Sequence, residues 1–219
     1  MRKFLRFIAV PIFVYACGGV MITYAHTPML MNQKNVDDVI RVDDPLLSQA
    51  FYGTLNNFPH TYEIIAREPF TLYTEILVPD IEGQTNTPSG IIIKLPQAGG
   101  RVEEIARLQA KDASWEAAYE FFGGDTYRHG PQFEKELPAG TYRVEVHSAD
   151  NKEKYVLVIG KREEVVLGYI ELIRRIAGVK EFFGKSQISI IQSPFIFIPL
   201  LVGAVIVGWL LRRRLRHIR

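Results

Sequence analysis

Leu137-Pro138-Ala139-Gly140-Thr141-Tyr142-Arg143-Val144-Glu145-Val146-His147 is the stretch that decides the fold. Pro138 and Gly140 are turn residues: one fixes φ, the other is free to adopt a conformation closed to most residues. The following Thr141–His147 alternates strictly, which puts Tyr142, Val144 and Val146 on one face of a strand and sends His147 outward to solvent. After the turn-forming Ser148-Ala149-Asp150-Asn151-Lys152 comes Tyr155-Val156-Leu157-Val158-Ile159. That run is apolar throughout, as expected of a strand buried on both faces.

Working back along the chain, the same signals repeat. Residues 48–56, 60–65, 70–78, 91–95 and 101–109 read as strands, punctuated by Asn57-Phe58-Pro59, Glu68-Pro69, Pro88-Ser89-Gly90 and Gly99-Gly100. Phe70, Leu72, Thr74, Ile76 and Val78 share one face of the third of these. Residues 113–122 suit strand or helix, being rich in Ala and Glu. About eight short, regularly spaced strands predict a mainly β chain folded as a single antiparallel β-sandwich over residues 48–161. Residues 26–47 are polar, carry Asp37-Asp38 and Asp43-Asp44, and read as a spacer with solvated charge rather than a calcium loop.

Both ends of the chain point to a membrane. Residues 188–211 contain no charged residue and are long enough to cross a bilayer as a helix. Trp209 sits near one end, and Arg212, Arg213, Arg214, Arg216 and Arg219 follow. A short basic flank of this kind is retained in the cytoplasm, so these arginines orient the span and leave the bulk of the chain outside. At the other end, Arg2, Lys3 and Arg6 precede an apolar run to Ala25. This N-terminal apolar helix fits an uncleaved anchor, a cleaved signal peptide or, with Cys17, a lipoprotein signal. Cys17 is the one cysteine, so no internal disulfide is available.

Residues 163–184 carry Val165, Tyr169, Leu172, Ile176, Val179 and Phe183 at alternating spacings of four and three, the apolar face of an amphipathic helix. Gly184 is its stop signal. Three roles stay open: packing on or linking to the sandwich, lying on the membrane with Arg174, Arg175 and Lys180 toward headgroups, or a homo-oligomeric coil.

The formal charge of +2 hides an asymmetry: between His26 and Gln187 there are 24 acidic against 18 basic residues, a net of −6. An acidic outer domain argues against nucleic-acid binding, which needs a basic face. No zinc-protease helix, nucleophile elbow, P-loop or EF-hand loop is written in the sequence. No cofactor and no metal is expected, and the expectation is a non-enzyme. Asp125-Thr126-Tyr127-Arg128-His129-Gly130-Pro131 reads first as a polar turn and only second as a base or metal site. Trp115, Tyr119, Phe122, Tyr127 and His129 form the candidate binding patch. Most of the aromatics are expected in the core, and exposed members would stack on sugars or hold a partner.

The segments Gly130-Pro131-Gln132-Phe133, Leu137–Val146 and Lys154–Gly160 resemble the closing strands of bacterial pre-peptidase C-terminal-type domains. The layout of signal, sandwich, amphipathic helix, span and basic tail resembles GOLD-domain proteins of the p24 type. This chain lacks the cysteine pair of the p24 pattern, so cargo-receptor function is not carried over. The resemblance implies extracytoplasmic binding or assembly at the cell membrane. The alternative, resting on the aromatic residues, is a carbohydrate- or envelope-polymer-binding domain, and behind it stands a hydrolase with an unrecognised site.

Overall fold

The computed structural model describes residues 21–22, 27–96, 100–163 and 166–216. The expected N-terminal signal or anchor, and Arg219 of the tail, lie outside them, apart from Met21–Ile22. The chain divides into two units.

The larger unit is a β-sandwich of two sheets. The six-stranded sheet has the order β2-β4-β12-β6-β10-β9, formed by Thr27–Leu30, Gln49–Thr54, Lys154–Ile159, Phe70–Pro79, Asp125–Leu137 and Glu116–Glu120. The five-stranded sheet has the order β3-β5-β11-β7-β8, formed by Val39–Val42, His60–Ala66, Gly140–His147, Ser89–Lys94 and Glu103–Leu108. The two sheets thus hold 11 strands, more than the eight expected.

The extra strands have physical causes. Residues 26–47, expected as a spacer, carry β2 and β3, which pair parallel with β4 and β5 respectively. Two four-residue strands at sheet edges are too short for their alternation to stand out among charged neighbours. Residues 125–131, expected as a polar turn, open the 13-residue β10. Its register against β6 shifts between His129 and Gln132, so Gly130 and Pro131 form a bulge. A bulge is where a strand tolerates Pro, because the residue there owes the ladder no hydrogen bond. Within residues 113–122, Glu116–Glu120 form the strand β9.

The core sits between the sheets. Tyr142, Val144 and Val146 face inward and are fully buried, as are Leu72, Ile76 and Ile64. The Tyr142 ring packs edge-on against Phe70 at 5.7 Å, and its hydroxyl donates to the Pro138 carbonyl at 2.7 Å. Tyr155 lies at the centre of a polar island: its hydroxyl is 2.6 Å from that of Tyr62 and 2.8 Å from His60 Nδ1. Burial holds the His60 imidazole below its ordinary pKa. Gly53 makes room for Tyr155, since a Cβ there would stand 2.6 Å from the ring. Val156 and Val158, on the opposite face of β12, are also buried, as their apolar sequence predicts.

The second unit holds residues 121–124 together with the C-terminal helices. A two-residue antiparallel pairing of Met21–Ile22 (β1) with Val166–Leu167 (β13) leads into the amphipathic helix Tyr169–Phe182. Leu172, Ile176, Val179 and Phe183 are buried as their spacing predicts, and Gly184 at φ 69° ends the helix. Lys180 is not turned outward, as the membrane-surface alternative for this helix requires: it is 0% exposed, and Nζ donates to Gln192 Oε1 at 3.2 Å and to the Gly124 carbonyl at 3.4 Å. A 3-10 helix, Gln187–Gln192, precedes the 22-residue apolar helix Pro194–Leu215. Pro194 occupies the first helical position, where its missing N–H costs nothing. Ser193 Oγ donates to the Phe122 carbonyl at 2.7 Å. The apolar helix is long and apolar enough to span a membrane, and it is almost wholly exposed.

Candidate functional site

The sandwich carries an open cleft of about 660 Å³ at one end of the five-stranded sheet. Asn86 and Thr87, from the loop before β7, and Ser89 and Gly90, at its start, form one wall. Arg107 and Leu108 end β8 and form the opposite wall, continued by Gln109 and by Lys111 of the 3-10 helix Ala110–Asp112. Trp115 and His147 complete the lining.

Local folding fixes these groups. The Ala110 N–H donates to Ser89 Oγ at 3.1 Å, tying the 3-10 helix to β7. Trp115 Nε1 donates to the Ala110 carbonyl at 2.8 Å, which holds the indole beside the same turn. The far edge of that ring lies over Gly130 in the bulge of β10, where a Cβ would stand 2.5 Å from both the indole and the Ile76 carbonyl. Trp115 itself sits at φ 55°, a left-handed conformation costing a bulky residue on the order of 1–3 kcal/mol. A strained aromatic held by a hydrogen bond and a glycine bulge is a pre-formed wall rather than a mobile loop.

The polar inventory of the cleft is one-sided. Arg107 is engaged by Glu104, with Nε and Nη2 donating at 2.8 and 2.6 Å to the two carboxylate oxygens. Lys111 makes no ion pair among the described residues. Among the described residues no carboxylate lines the cleft. Thr87 donates to Glu153 at 2.9 Å, so that acid is already bound behind the wall. On two residues of the lining, Asn86 Oδ1 and His147 Nδ1 are turned away from solvent and are buried without a hydrogen-bond partner among the described residues. Buried polar atoms are nearly always paired, so each such atom asks for an explanation. His147, expected in solvent, is half-buried: the outward face of β11 is roofed there by the cleft walls.

The candidate patch is dispersed by the fold. Trp115 lines the cleft. Tyr119 is 50% exposed on β9, whereas Phe122 is buried in the other unit. Tyr127 is buried on the outer face of the six-stranded sheet, its hydroxyl 2.8 Å from that of Tyr52. Tyr119 pairs with Thr126, which sets it on the opposite face of the sheet from Tyr127.

His129 belongs to a second cluster, on the same outer face. Its Nδ1 donates to Glu75 Oε1 at 2.7 Å; Gln132 Nε2 donates to the same oxygen at 2.9 Å and the Tyr73 hydroxyl to Oε2 at 2.8 Å. The carboxylate is buried, with its side chain 5% exposed, while the imidazole is 40% exposed. Burial alone would raise the Glu75 pKa, but the bonds from His129, Tyr73 and Gln132 outweigh it and hold the carboxyl below its ordinary value. The hydrogen bond to Glu75 raises His129 against an opposing effect of burial. A histidine oriented by a buried carboxylate is the geometry of a general base, yet its ring makes no other hydrogen bond among the described residues. Asp125, which sequence places nearby, is not its partner. Glu75 carries no signal in the sequence, because it falls on the mixed outward face of β6 beside Thr71 and Tyr73, where a carboxylate reads as solvated.

No family model matches the chain. No curated protein sequence matches it either. Among solved structures it is similar to the pre-peptidase C-terminal domain of a collagenase from Bacillus anthracis, at 11% identity and a TM-score of 0.36, over 58% of this chain and 98% of that one. It is also similar to a β-glucosidase from Paenibacillus barengoltzii, at 12% identity and a TM-score of 0.26, over 63% of this chain but only 13% of that one. Likeness this loose carries nothing about activity. The sandwich stands on its own strand pairings.

Proposed function

We propose that the chain is a non-enzymatic, membrane-anchored binding or assembly protein whose sandwich works outside the cytoplasm. The observation that carries this reading is the exposed apolar helix Pro194–Leu215, ending in Arg212, Arg213 and Arg214. In water that helix would expose a continuous apolar surface far larger than soluble proteins tolerate; in a bilayer the same surface is matched by lipid. The basic end belongs on the cytoplasmic side, which puts the other end of the helix, and the chain before it, outside. The layout of sandwich, amphipathic helix, span and basic end is also that of the p24-type GOLD proteins. Recognition is assigned to the cleft, because it combines a rigid aromatic wall with Lys111, a cation that makes no ion pair among the described residues.

The test is topology. With Cys17 replaced by Ser, single cysteines are placed at Asp150, in the exposed turn after β11, and at Leu215. A membrane-impermeant maleimide should label position 150 in intact cells and position 215 only after permeabilisation. The reverse pattern, or recovery of the full chain in the soluble fraction, overturns the reading.

A further inference from the structure

One end of the sandwich closes over a buried histidine. The Leu55 N–H donates to the Glu153 carbonyl at 3.0 Å and the Asn57 N–H to the Asn151 carbonyl at 2.7 Å. These two bonds tie the turn between β4 and β5 to the turn between β11 and β12. His60, the first residue of β5, is 1% exposed and packs with the Phe58 ring at 5.5 Å. Its bond to Tyr155 crosses the core, because β5 and β12 lie in different sheets. We propose that His60, Tyr155 and Tyr62 form an acid-sensitive latch. The two turns stay tied while the imidazole is neutral and come apart when it takes up a proton.

The contacts leave no place for a further proton. The Tyr155 hydroxyl meets His60 Nδ1 at 2.8 Å and the Tyr62 hydroxyl at 2.6 Å. When the neutral ring accepts at Nδ1, Tyr155 donates to it and accepts from Tyr62, so two protons serve two contacts. A protonated ring carries a hydrogen on both nitrogens. Three protons then compete for the same two contacts, and one hydroxyl loses its acceptor. Nε2 gives no relief, being buried without a partner among the described residues. The surroundings supply no counter-charge either. The titratable groups facing the ring are the phenols of Tyr62, on its own strand, and Tyr155; β11 presents Val146, and β4 meets Tyr155 with Gly53. An unpaired buried charge costs far more than a lost hydrogen bond.

Burial alone acts on the imidazole, and it holds the folded pKa below the ordinary value. The open form therefore binds more protons. The latch is fully held above the ordinary histidine value and gives way as pH falls from there toward the lowered one. Glu153, on the tied turn, titrates below this window. Burial works to raise its carboxyl, but bonds from Ser148 and Thr87 outweigh that and hold it below its ordinary value. His129 titrates with the opposite sign, and it stands on the outer face of the other sheet.

The experiment follows amide hydrogen exchange of the full chain in detergent micelles at pH 7.5 and pH 5.5, corrected for intrinsic exchange rates. Local opening is read residue by residue in this way. With a histidine value of about 6.5 in the open form, Leu55 and Asn57 should lose about tenfold in protection at the lower pH. Val144, at the centre of β11 and paired on both sides, should keep its protection. His60→Asn retains an acceptor for Tyr155 and cannot be protonated, so its protection should be the same at both pH values. Unchanged protection of Leu55 and Asn57 in the parent overturns the latch, and so does the same loss in His60→Asn. An equal loss at Val144 also overturns it, because the whole sandwich would then be unfolding. Should His60→Asn fail to fold, the imidazole resonances of the parent decide. His60 must take up its proton below its ordinary value of about 6.5 and in step with the loss of protection; uptake at or above that value overturns the proposal.

Discussion

Strands β10 and β11 follow one another in sequence, yet they lie in opposite sheets and do opposite work. β11 is regular: it pairs without interruption with β5 on one side and β7 on the other, and its inward residues fill the core. β10 is irregular: it breaks register at Gly130 and Pro131, and the break seats the Trp115 indole on one side while His129 meets Glu75 on the other face. The regular strand stabilises the sandwich, and the irregular one shapes its candidate sites. Strict periodicity is what packing demands, and departures from it collect where the chain positions chemistry.

The largest test of that contrast is Tyr142→Ala in β11. It empties the core beside Phe70 and removes the bond to Pro138, so it should cost about 3 kcal/mol or more, read from thermal or urea unfolding. Gly130→Ala in β10 comes next. The new methyl meets the Ile76 carbonyl and the indole at 2.5 Å, and overpacking of this kind costs about 1–3 kcal/mol. Unlike the first substitution, it should also shift Trp115 emission in a Trp209→Phe background, because it displaces the cleft wall.

His129→Ala should cost about 1 kcal/mol, at the low end for an orphaned buried acceptor, since the exposed imidazole is partly screened and Glu75 keeps Tyr73 and Gln132. Its pH dependence has a definite sign. His129 has a raised pKa in the folded chain, so its contribution is full below the ordinary histidine value and fades as pH rises through the raised one. Glu75 has a lowered pKa, so its contribution is full above the ordinary glutamate value and fades as pH falls through the lowered one. Their shared stabilisation is therefore a plateau in mildly acidic solution. Melting curves from pH 4 to 9 should show the alkaline decline in the parent and a flatter profile in His129→Gln. The smallest effect is expected of Lys111→Ala, within about 0.5 kcal/mol, as for exposed substitutions away from packed features.

The same contrast explains what sequence could and could not reveal. Alternation made β11 and the inward face of β6 legible residue by residue, and the apolar run made β12 legible as a strand buried on both faces. The amphipathic helix followed its spacing, except that burial of Lys180 depends on carbonyl and amide acceptors far away in sequence. β10 was not legible as a strand, because Gly-Pro is a turn signal unless a neighbouring ladder absorbs it as a bulge. The site was legible only in its aromatic residues. Trp115 stands out by type, but its union with Asn86, Lys111 and His147 joins three segments far apart in sequence, and no local pattern encodes that meeting. The separation of Tyr127 from Tyr119 follows from pairing: Tyr119 stands opposite Thr126, so it points to the other face of the sheet from Tyr127.

The two short strands β2 and β3 have a practical consequence. Thr27–Leu30 covers the outer side of β4 in one sheet, and Val39–Val42 covers the outer side of β5 in the other. One connecting segment thus closes the same flank of both layers. Cutting the chain at residue 48 would leave β4 and β5 with open backbone edges, rich in Phe, Tyr and Ile, that invite another chain to add on. A soluble fragment beginning there should aggregate, while one beginning before residue 27 keeps its own guard strands and should stay monodisperse in size-exclusion chromatography.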